Sequence, residues 1–426
     1  MADIAGNQRR VLGALLGELQ PHWHREAGLP ARIDRLIRGD RRFGSRDRRL
    51  YRELIYTALR YLNWIEPWLA PEGAGTTRSS RFALELIAWL AADLPATRAF
   101  RASLLETASA PWPPCPLPVS EKAELLTARI EQQLLDPDQP ELLVERDLRA
   151  RLPLPNLLPA WAPAECPAAL RPAEYNALHQ RAPLWIRLQG ASPHLVLEEF
   201  SSRHWPWRRS DLVPAAVRVD TEADLTDTLA YQTGMIEIQD IGSQRILATA
   251  APAPGGQWLD ACAGAGGKSL QLADQLGPAG RVEVHDVRPD ALAELERRAV
   301  RARLQSRIRR ADLARATLYD GVLVDAPCSG SGTWRRSPHL KAVTTAEQIA
   351  AAAAHQGRLL DEFSIRVKPL GQLVYATCSL CRQENEEAAA GFLARHPEFR
   401  AETQRLLLPS EHDGDGFFVA TFRRVD

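Results

Sequence analysis

The chain has 426 residues, enough for two or three domains, and 45% of them are hydrophobic, which is ample for several cores. Its formal net charge at pH 7 is zero, and this balance alone argues against a nucleic-acid-binding protein. No signal-peptide core, no membrane-length apolar run and only six cysteines are present, so we expect a cytoplasmic protein without a disulfide framework.

The first third of the chain has the apolar spacing of helices. A helical period appears in four stretches, at residues 11–16, 45–65, 82–90 and 120–135. Ser45 is the expected N-cap of the second stretch. The proline-rich segment 110–118 predicts an extended connector, and Asp136–Pro140 is expected to interrupt the chain again. These patterns predict an all-helical domain over residues 1–145.

Positive charge is concentrated in two arginine clusters, although the net charge is zero. Residues 32–60 contain ten arginines against four acidic residues, and residues 297–315 contain eight against one. Local basic clusters of this kind can bind phosphate groups even in a neutral chain. A solvated helix face is the alternative interpretation of either cluster.

Residues 146–235 predict a small α+β module. Strands are expected at 184–188 and 216–219, with a helix over 195–201 between them. Three arginines alternate there with Trp205 and Trp207, a composition that suits stacking on single-stranded bases. A tryptophan pair that anchors the core beside exposed charges is the alternative.

From residue 236 onward, apolar strands alternate with helices, which predicts a parallel sheet covered on both faces. One basic helix is expected to end at Ile308, just before a short strand. Ligands bind at the carboxyl ends of such strands. The residues expected at those ends are Cys262, Asp286, Asp312, Asp325 and Cys378.

A glycine turn follows the first of these strands. The sequence from Leu259 to Lys268 has the strand, turn and helix start of a nucleotide-binding βαβ unit. Asp286 lies 22 residues after Gly264, a spacing typical of the acid that binds ribose hydroxyls. The turn matches neither the triphosphate nor the dinucleotide pattern, so S-adenosylmethionine fits better than ATP or NAD. The expected cofactor-binding residues of the turn are Cys262, Ala263, Gly264, Ala265, Gly266, Gly267 and Lys268.

Lysine is rare in this chain, which uses arginine for nearly all its positive charges. The four lysines are Lys122, Lys268, Lys341 and Lys368. One of them lies at the glycine turn, which indicates that a compact ammonium group is needed there.

Two more loops place a cysteine just after a strand, on the same edge of the predicted sheet. Cys328 follows Asp325-Ala326-Pro327, and Cys378 follows Ala376-Thr377. A thiol beside Lys268 and helix N-termini can have a lowered pKa and act as a nucleophile, whereas a small buried side chain is the alternative. Cys381 completes a C-x-x-C pair, but two thiolates fall short of four zinc ligands, so no metal site is expected.

Residues 231–426 resemble the RNA cytosine-C5 methyltransferases of the NOL/NOP/Sun family. The matching segments lie at residues 239–244, 259–268, 325–329, 375–379 and 415–418. The segment 43–49 is similar, more weakly, to the NusB-like RNA-binding domain fused to the bacterial 16S rRNA member. Ala265, His339 and Ala342 depart from the family pattern, which often has Pro, Asp and Trp at those positions.

The resemblance implies an α/β fold of three parts. A Rossmann-like, S-adenosylmethionine-dependent methyltransferase domain is expected over residues 236–426. It follows a small α+β module over 146–235 and an all-helical NusB-like domain over 1–145. The implied partner is RNA, with ribosomal RNA expected, no membrane and no metal, and the chain is expected to be a monomer. A transfer RNA substrate is the alternative.

The resemblance also implies the roles of the site residues. Cys378 would add to C6 of the cytosine, Cys328 would assist release, and Asp325 would stabilise charge near N3 if burial raised its pKa. Lys268 would help orient the base or stabilise its charge. Asp286 would bind the ribose hydroxyls, Asp312 the adenine amine, and Asp325 would also lie beside the cofactor. The implied RNA contacts are Arg335, Arg336, Arg46, Arg48 and Arg49.

Two other functions compete with RNA methylation. A DNA cytosine-C5 methyltransferase would use Cys328 as the nucleophile, but nothing in the sequence resembles a DNA target-recognition domain. A non-catalytic RNA-binding protein on the same fold is the second competitor. The intact set Cys378, Asp325, Lys268 and Asp286 argues against it.

Overall fold

The computed structural model describes residues 4–69, 78–134, 152–190 and 192–425. The predicted interruption at Asp136–Pro140 lies outside these residues. The chain divides into two compact units. The first contains Met1–Ala160, His179–Arg181 and Ser337–Val343, and the second contains Trp161–Leu178, Ala182–Arg336 and Thr344–Asp426. The boundary expected at residue 235 therefore lies inside the second unit, and the three-domain division stays a prediction.

The first unit is helical, as the apolar spacing predicts. Its α-helices are Ile4–Leu19, Leu29–Gly39, Ser45–Arg60, Leu62–Ile65, Arg78–Leu90, Arg98–Glu106, Val119–Leu134 and Leu340–Val343. Residues three and four apart, such as Leu12, Leu15 and Leu16, point into one core. Ser45 is the first helical residue rather than the cap. Gly44 holds the cap position, and its N–H donates to Asp47 Oδ2 at 3.3 Å.

The second unit contains a small antiparallel sheet. Its strands are β1 (Trp185–Leu188), β2 (Trp207–Arg209), β3 (Ala216–Val219) and β4 (Ile236–Ile238), in the order β2-β3-β1-β4. The helix Pro193–Ser202 packs Val196 and Phe200 into the core of this sheet. Trp205 packs near Phe200, with ring centroids 5.8 Å apart, whereas Trp207 is 37% exposed. The anchoring interpretation therefore holds for Trp205 and not for Trp207.

The large sheet of the second unit has seven strands. They are β5 (Gln257–Asp260), β6 (Arg281–Val284), β7 (Ile308–Arg310), β8 (Tyr319–Asp325), β9 (Val367–Thr377), β10 (Phe399–Leu407) and β11 (Phe417–Arg424). The order is β10-β11-β9-β8-β5-β6-β7. Strands β5 to β9 are parallel, and β11 runs antiparallel to both β9 and β10.

Helices cover both faces of this sheet, which confirms the Rossmann-like prediction. The helices of the second unit are Ala162–Glu165, Pro172–Leu178, Pro193–Ser202, Leu229–Gln232, Ile241–Ala250, Gly267–Leu276, Pro289–Arg301, Ala346–Ser364, Glu386–Arg395 and Pro409–His412. Along β8, Val322 and Val324 belong to one buried cluster and Leu323 to the other. Because successive side chains point to opposite faces of a strand, each face of the sheet has its own core.

Two details differ from the prediction. The basic helix ends at Arg301, and Ile308 begins β7 instead of ending that helix. Strand β10 has no counterpart in the predicted elements. It lies at the sheet edge with most side chains exposed, so only Phe399 and Leu407 at its two ends are buried and no alternation marks it.

Candidate active site

A cavity of about 670 Å³ lies at the carboxyl ends of β5, β6, β8 and β9. This is the sheet edge at which a parallel α/β fold binds ligands. The predicted site residues that line it are Cys262, Ala263, Gly264, Ala265, Gly267, Lys268, Asp286, Asp325, Cys328, Arg336 and Cys378. Residues far apart in sequence therefore meet at one edge because their strands are neighbours.

The glycine turn forms one wall of this cavity, and its backbone conformation requires glycine. Gly264 has φ 53° and Gly266 has φ 87°, both in the left-handed region. A Cβ on Gly266 would lie 2.5 Å from Leu295 Cγ. Gly266 therefore packs against the helix Pro289–Arg301 and does not face the cavity. The helix Gly267–Leu276 begins directly after the turn. Its first N–H groups give the cavity a site for a polar or anionic group.

Arg298 lines the cavity and also supports this turn, a role that the sequence does not reveal. Its guanidinium donates to Ala265 O at 2.7 Å and forms an ion pair with Glu237 at 2.7 Å. Glu237 has 1% of its side chain exposed. Arg298 belongs to the second arginine cluster, and the sequence alone does not separate it from the arginines around it. The buried ion pair holds the turn in place.

Asp286 forms a well-ordered acceptor at the end of β6. Its Oδ2 accepts the N–H of Gly264 at 2.8 Å, and its Oδ1 accepts the N–H of Arg288 at 2.9 Å. Hydrogen bonds from the Arg288 side chain, followed by these backbone bonds, lower the pKa of Asp286 to about 2. The carboxylate is 5% exposed, whereas the Arg288 side chain is 68% exposed. The group is therefore ionised at neutral pH and tied to the glycine turn.

Lys268 and Asp325 form an ion pair in the middle of the cavity wall. Lys268 Nζ donates to Asp325 Oδ2 at 2.7 Å and lies 5.3 Å from the centre of the Phe417 ring. Asp325 is 28% exposed. Asp325 is therefore neither fully buried nor isolated, and its expected role near N3 stays a prediction. Burial raises the pKa of the neighbouring Cys262 thiol.

The two cysteines of the strand-end loops lie in contact. Cys328 Sγ and Cys378 Sγ are 3.3 Å apart, and both side chains are half-buried. The hydrogen bond to Cys378, together with burial, raises the pKa of Cys328 well above the usual thiol value. The lowered thiol pKa expected beside Lys268 is thus wrong for Cys328.

Cys381 lies outside this pair and is fully buried. Its sulfur lies 3.4 Å from Ser331 Oγ, and a hydrogen bond with Cys166 lowers its thiol pKa. Within the described parts of the chain, no three His, Cys, Asp or Glu side chains are grouped to hold a metal ion. In those same parts, no helix combines the length and the apolarity needed to cross a bilayer.

Asp312 and Arg335, like Gly266, lie away from the cavity wall. Asp312 follows β7 with 58% of its side chain exposed and forms an ion pair with Arg315 at 3.0 Å. Its contact with the adenine stays a prediction. Arg335 is 2% exposed and binds Asp413 at 2.9 Å, so it is a buried structural residue and not the expected RNA contact.

The remaining predicted RNA contacts differ in exposure. Arg336 lines the cavity with 54% of its side chain exposed and binds the buried Asp415 at 2.6 Å. In the first unit, Arg46 and Arg49 are exposed on the helix Ser45–Arg60, and Arg48 is half-buried. RNA binding by these arginines stays a prediction.

Comparisons with known proteins agree on one family. Residues 247–423 match the family model described as 16S rRNA methyltransferase RsmB/F. The ribosomal RNA small subunit methyltransferase B of Xylella fastidiosa (strain 9a5c) is 32% identical over 303 residues, which cover 65% of this chain and 72% of that protein. The protein of the same name from Yersinia pestis bv. Antiqua (strain Angola) is 31% identical and covers 62% of this chain and 66% of its own length.

Solved structures resemble this fold. The crystal structure of PH0851 aligns with a TM-score of 0.70 at 20% identity, over 99% of each chain. NSun6 from Pyrococcus horikoshii aligns with a TM-score of 0.53 at 18% identity, over 59% of this chain and 93% of that one. At these identities the likeness concerns the fold alone.

Proposed function

From the premise that this chain belongs to the 16S rRNA methyltransferase RsmB/F family, and is thus an S-adenosylmethionine-dependent rRNA methyltransferase, we propose that it methylates C5 of a cytosine. The reaction proceeds through a covalent bond between Cys378 and C6 of that base. The contact between Cys328 and Cys378 at the cavity carries the proposal, because the resemblance to the NOL/NOP/Sun family implies one thiol that attacks and a second that assists release.

The cavity fits S-adenosylmethionine in size and in its donor set. A nucleoside with an amino-acid tail fills part of about 670 Å³ and leaves room for a base. The glycine turn allows close approach of a ligand, and Asp286 offers an ionised acceptor for ribose hydroxyls beside an exposed Arg288 that can move aside. Gly264, Lys268 and Asp286 are the residues that would hold it. When bound, it supplies an electrophilic methyl group.

The base needs activation before it can accept that methyl group. C5 of cytosine is a poor nucleophile, and addition of a thiolate to C6 turns C5 into an enamine carbon that attacks an electrophile. We assign the attack to Cys378, as the resemblance to the NOL/NOP/Sun family implies, and the role of proton donor to Cys328, whose sulfur lies 3.3 Å away. The target cytosine must leave its base stack to enter the cavity.

The ion pair of Lys268 and Asp325 lines the cavity, where it can stabilise the negative charge that forms on the base. Attack at C6 places negative charge on the N3 side of the ring. Lys268 brings a proton on Nζ, and Asp325 Oδ2 is 2.7 Å away to take part in its transfer. This pair therefore shares the charge-stabilising role, which the resemblance gives to Asp325 and to Lys268.

Release restores the aromatic base and the free enzyme. Cys328 lies 3.3 Å from the sulfur that departs, so its thiol can donate a proton to Cys378 as the C6–S bond breaks. The Cys328 thiolate formed in this way accepts the proton from C5, and the C5–H electron pair rebuilds the ring double bond. The proton that the ring took from Lys268 returns to the Lys268–Asp325 pair. Both thiols end the cycle protonated, and Cys378 releases its proton to solvent before the next attack.

Single-cysteine variants test this assignment. Each variant is incubated with S-adenosylmethionine and 16S rRNA, with transfer RNA in parallel, and is then run on a denaturing gel. Cys328→Ala should methylate the RNA and stall as an RNase-sensitive adduct, because Cys378 still attacks while release is impaired. Cys378→Ala should form no adduct and transfer no methyl group.

Cys115→Ala is the matched control, because Cys115 lies in the first unit and outside the cavity wall. It should methylate as the unmodified chain does. An adduct that persists in Cys378→Ala and is missing from Cys328→Ala would reverse the roles, as in a DNA-type mechanism. Failure of the unmodified chain to methylate any RNA would favour the non-catalytic alternative.

A further inference from the structure

A fully buried carboxylate joins the two cysteine loops. Glu384 lies in the loop after β9 and has no exposed surface. Its Oε1 accepts the N–H of Ser329 at 2.8 Å, and its Oε2 accepts the hydroxyls of Ser329 and Ser379 at 2.5 Å each. Ser329 directly follows Cys328, and Ser379 directly follows Cys378. One side chain therefore contacts the residue next to each cysteine.

The sheet itself does not set the position of these loops. Strands β8 and β9 pair as far as Asp325 and Ala376, and the two cysteines come after the end of that pairing. Beyond it, Gly332 N donates to Cys378 O at 3.0 Å, and the remaining links between the loops pass through side chains. The 3.3 Å contact between the two sulfurs therefore depends on what binds the loops together.

Glu384 is itself held from behind. Gln356, on the helix Ala346–Ser364, donates from Nε2 to Glu384 Oε1 at 3.1 Å and to Pro327 O at 2.9 Å. The Tyr375 hydroxyl donates to the backbone carbonyl of Glu384 at 2.5 Å and also lies 3.1 Å from Gln356 Oε1. A buried acceptor with all its donors in place is rigid, because any shift would leave a polar group without a partner.

We propose that Glu384 is a positioning residue, which holds the Cys328 and Cys378 loops at the separation that attack and release require. The proposal rests on the roles given to the two cysteines under the proposed function. Glu384 acts through Ser329 and Ser379 and touches neither the base nor the methyl donor.

The test measures the proximity of the sulfurs without any methylation. Diamide removes two electrons and two protons from a pair of thiols and joins them as a disulfide, so the rate of Cys328–Cys378 disulfide formation, followed by peptide mass spectrometry, reports their separation. Glu384→Ala should slow this reaction relative to the unmodified chain. It should lower kcat by about 10²-fold, the usual cost of misplacing a reacting group by about 1 Å. KM for S-adenosylmethionine should stay the same, because the glycine turn is untouched.

Glu384→Gln provides the conservative variant. Its amide keeps one acceptor for the Ser329 N–H, and the two serine hydroxyls can reverse to accept from its NH₂ group. We therefore expect rates between those of Glu384→Ala and the unmodified chain. Glu387→Ala is the matched control, because Glu387 is a glutamate three residues further on, outside the cavity wall and outside the links between the loops. It should behave as the unmodified chain does.

Wild-type disulfide and methylation rates in Glu384→Ala would overturn the proposal. If that variant does not fold, Ser379→Ala removes the hydroxyl that donates to Glu384 Oε2, together with its contacts to Ser329 and Ser331, and should still slow the disulfide reaction. An unchanged rate in Ser379→Ala would then overturn it instead. If the unmodified chain methylates no RNA while the disulfide rate responds to Glu384, the proposed function fails and the positioning role stands.

Discussion

Replacing Asp286 by alanine should weaken S-adenosylmethionine binding by about 1–3 kcal/mol, which raises Kd by about 5–150-fold. The carboxylate is 5% exposed, so water would not replace the charge-assisted hydrogen bond that the substitution removes. The same change removes the acceptor that holds Gly264 N–H at 2.8 Å, so the turn is less well supported. Both effects weaken cofactor binding, and neither changes the contact between Cys328 and Cys378.

Asp320→Ala is the matched control for this experiment. Asp320 accepts a backbone N–H, that of Gln257, at 2.7 Å and forms an ion pair with Lys368 at 2.7 Å, much as Asp286 binds Gly264 and Arg288. It lies at the start of β8, at the opposite end of the strand from Asp325. Both substitutions should lower the unfolding temperature, whereas only Asp286→Ala should change Kd.

Isothermal titration calorimetry with S-adenosylmethionine measures the difference directly. Asp286→Asn should lose less affinity than Asp286→Ala, because its amide oxygen still accepts the Gly264 N–H. Equal affinities for the unmodified chain and Asp286→Ala would show that Asp286 is not the ribose acid. Equal reductions in affinity in Asp286→Ala and Asp320→Ala would show that the effect comes from general destabilisation.

RNA binding and pH provide two more tests. Replacing the exposed Arg46 and Arg49 by alanine should weaken rRNA binding. It should also reduce the slope of log K against log [salt] by about 0.7–0.9 for each phosphate group that is no longer bound. An unchanged slope in a filter-binding titration would mean that these arginines form only a solvated helix face. Burial raises the pKa of Asp260 to about 7 from its ordinary value of 3.8, so the native protein keeps a proton that the unfolded chain releases. The unmodified chain should therefore lose stability relative to Asp260→Asn as the pH rises from about 4 to about 7, and parallel thermal melts across that range would contradict this.

The sequence predicted the helices and strands that have one buried face and one exposed face. The helices of the first unit and strands such as β8 have a clear apolar period, and their positions agree with it. The edge strand β10 could not be found because solvent reaches most of its side chains. The N-cap is Gly44 and not Ser45 because the Asp47 carboxylate accepts the Gly44 N–H, and the sequence pattern does not show where that carboxylate points.

The residues that line the cavity were predictable because a sequence shows where its strands end. The residues that hold them in place were not predictable. Arg335 and Arg336 are neighbours in the chain, yet one is buried against Asp413 and the other faces the cavity. The carboxylate that decides this lies 78 residues away from Arg335. In the sequence, Glu384 lies in a polar segment and cannot be told apart from a surface glutamate. Only the folded structure shows its contacts with Ser329 and Ser379.

The scarcity of lysine has a practical consequence for studying this protein in solution. Lys122, Lys268 and Lys341 are each less than a tenth exposed, whereas Lys368 is 41% exposed. An amine-reactive fluorophore should therefore modify Lys368 ahead of the other three side chains. Lys368 binds Asp320 near the start of β8, whereas the last residues of β9 pair with the other end of β8 and Cys378 follows them, so about 20 Å of strand separates the dye from the thiols. The chain thus carries its own attachment point for a probe or a surface, distant from its chemistry.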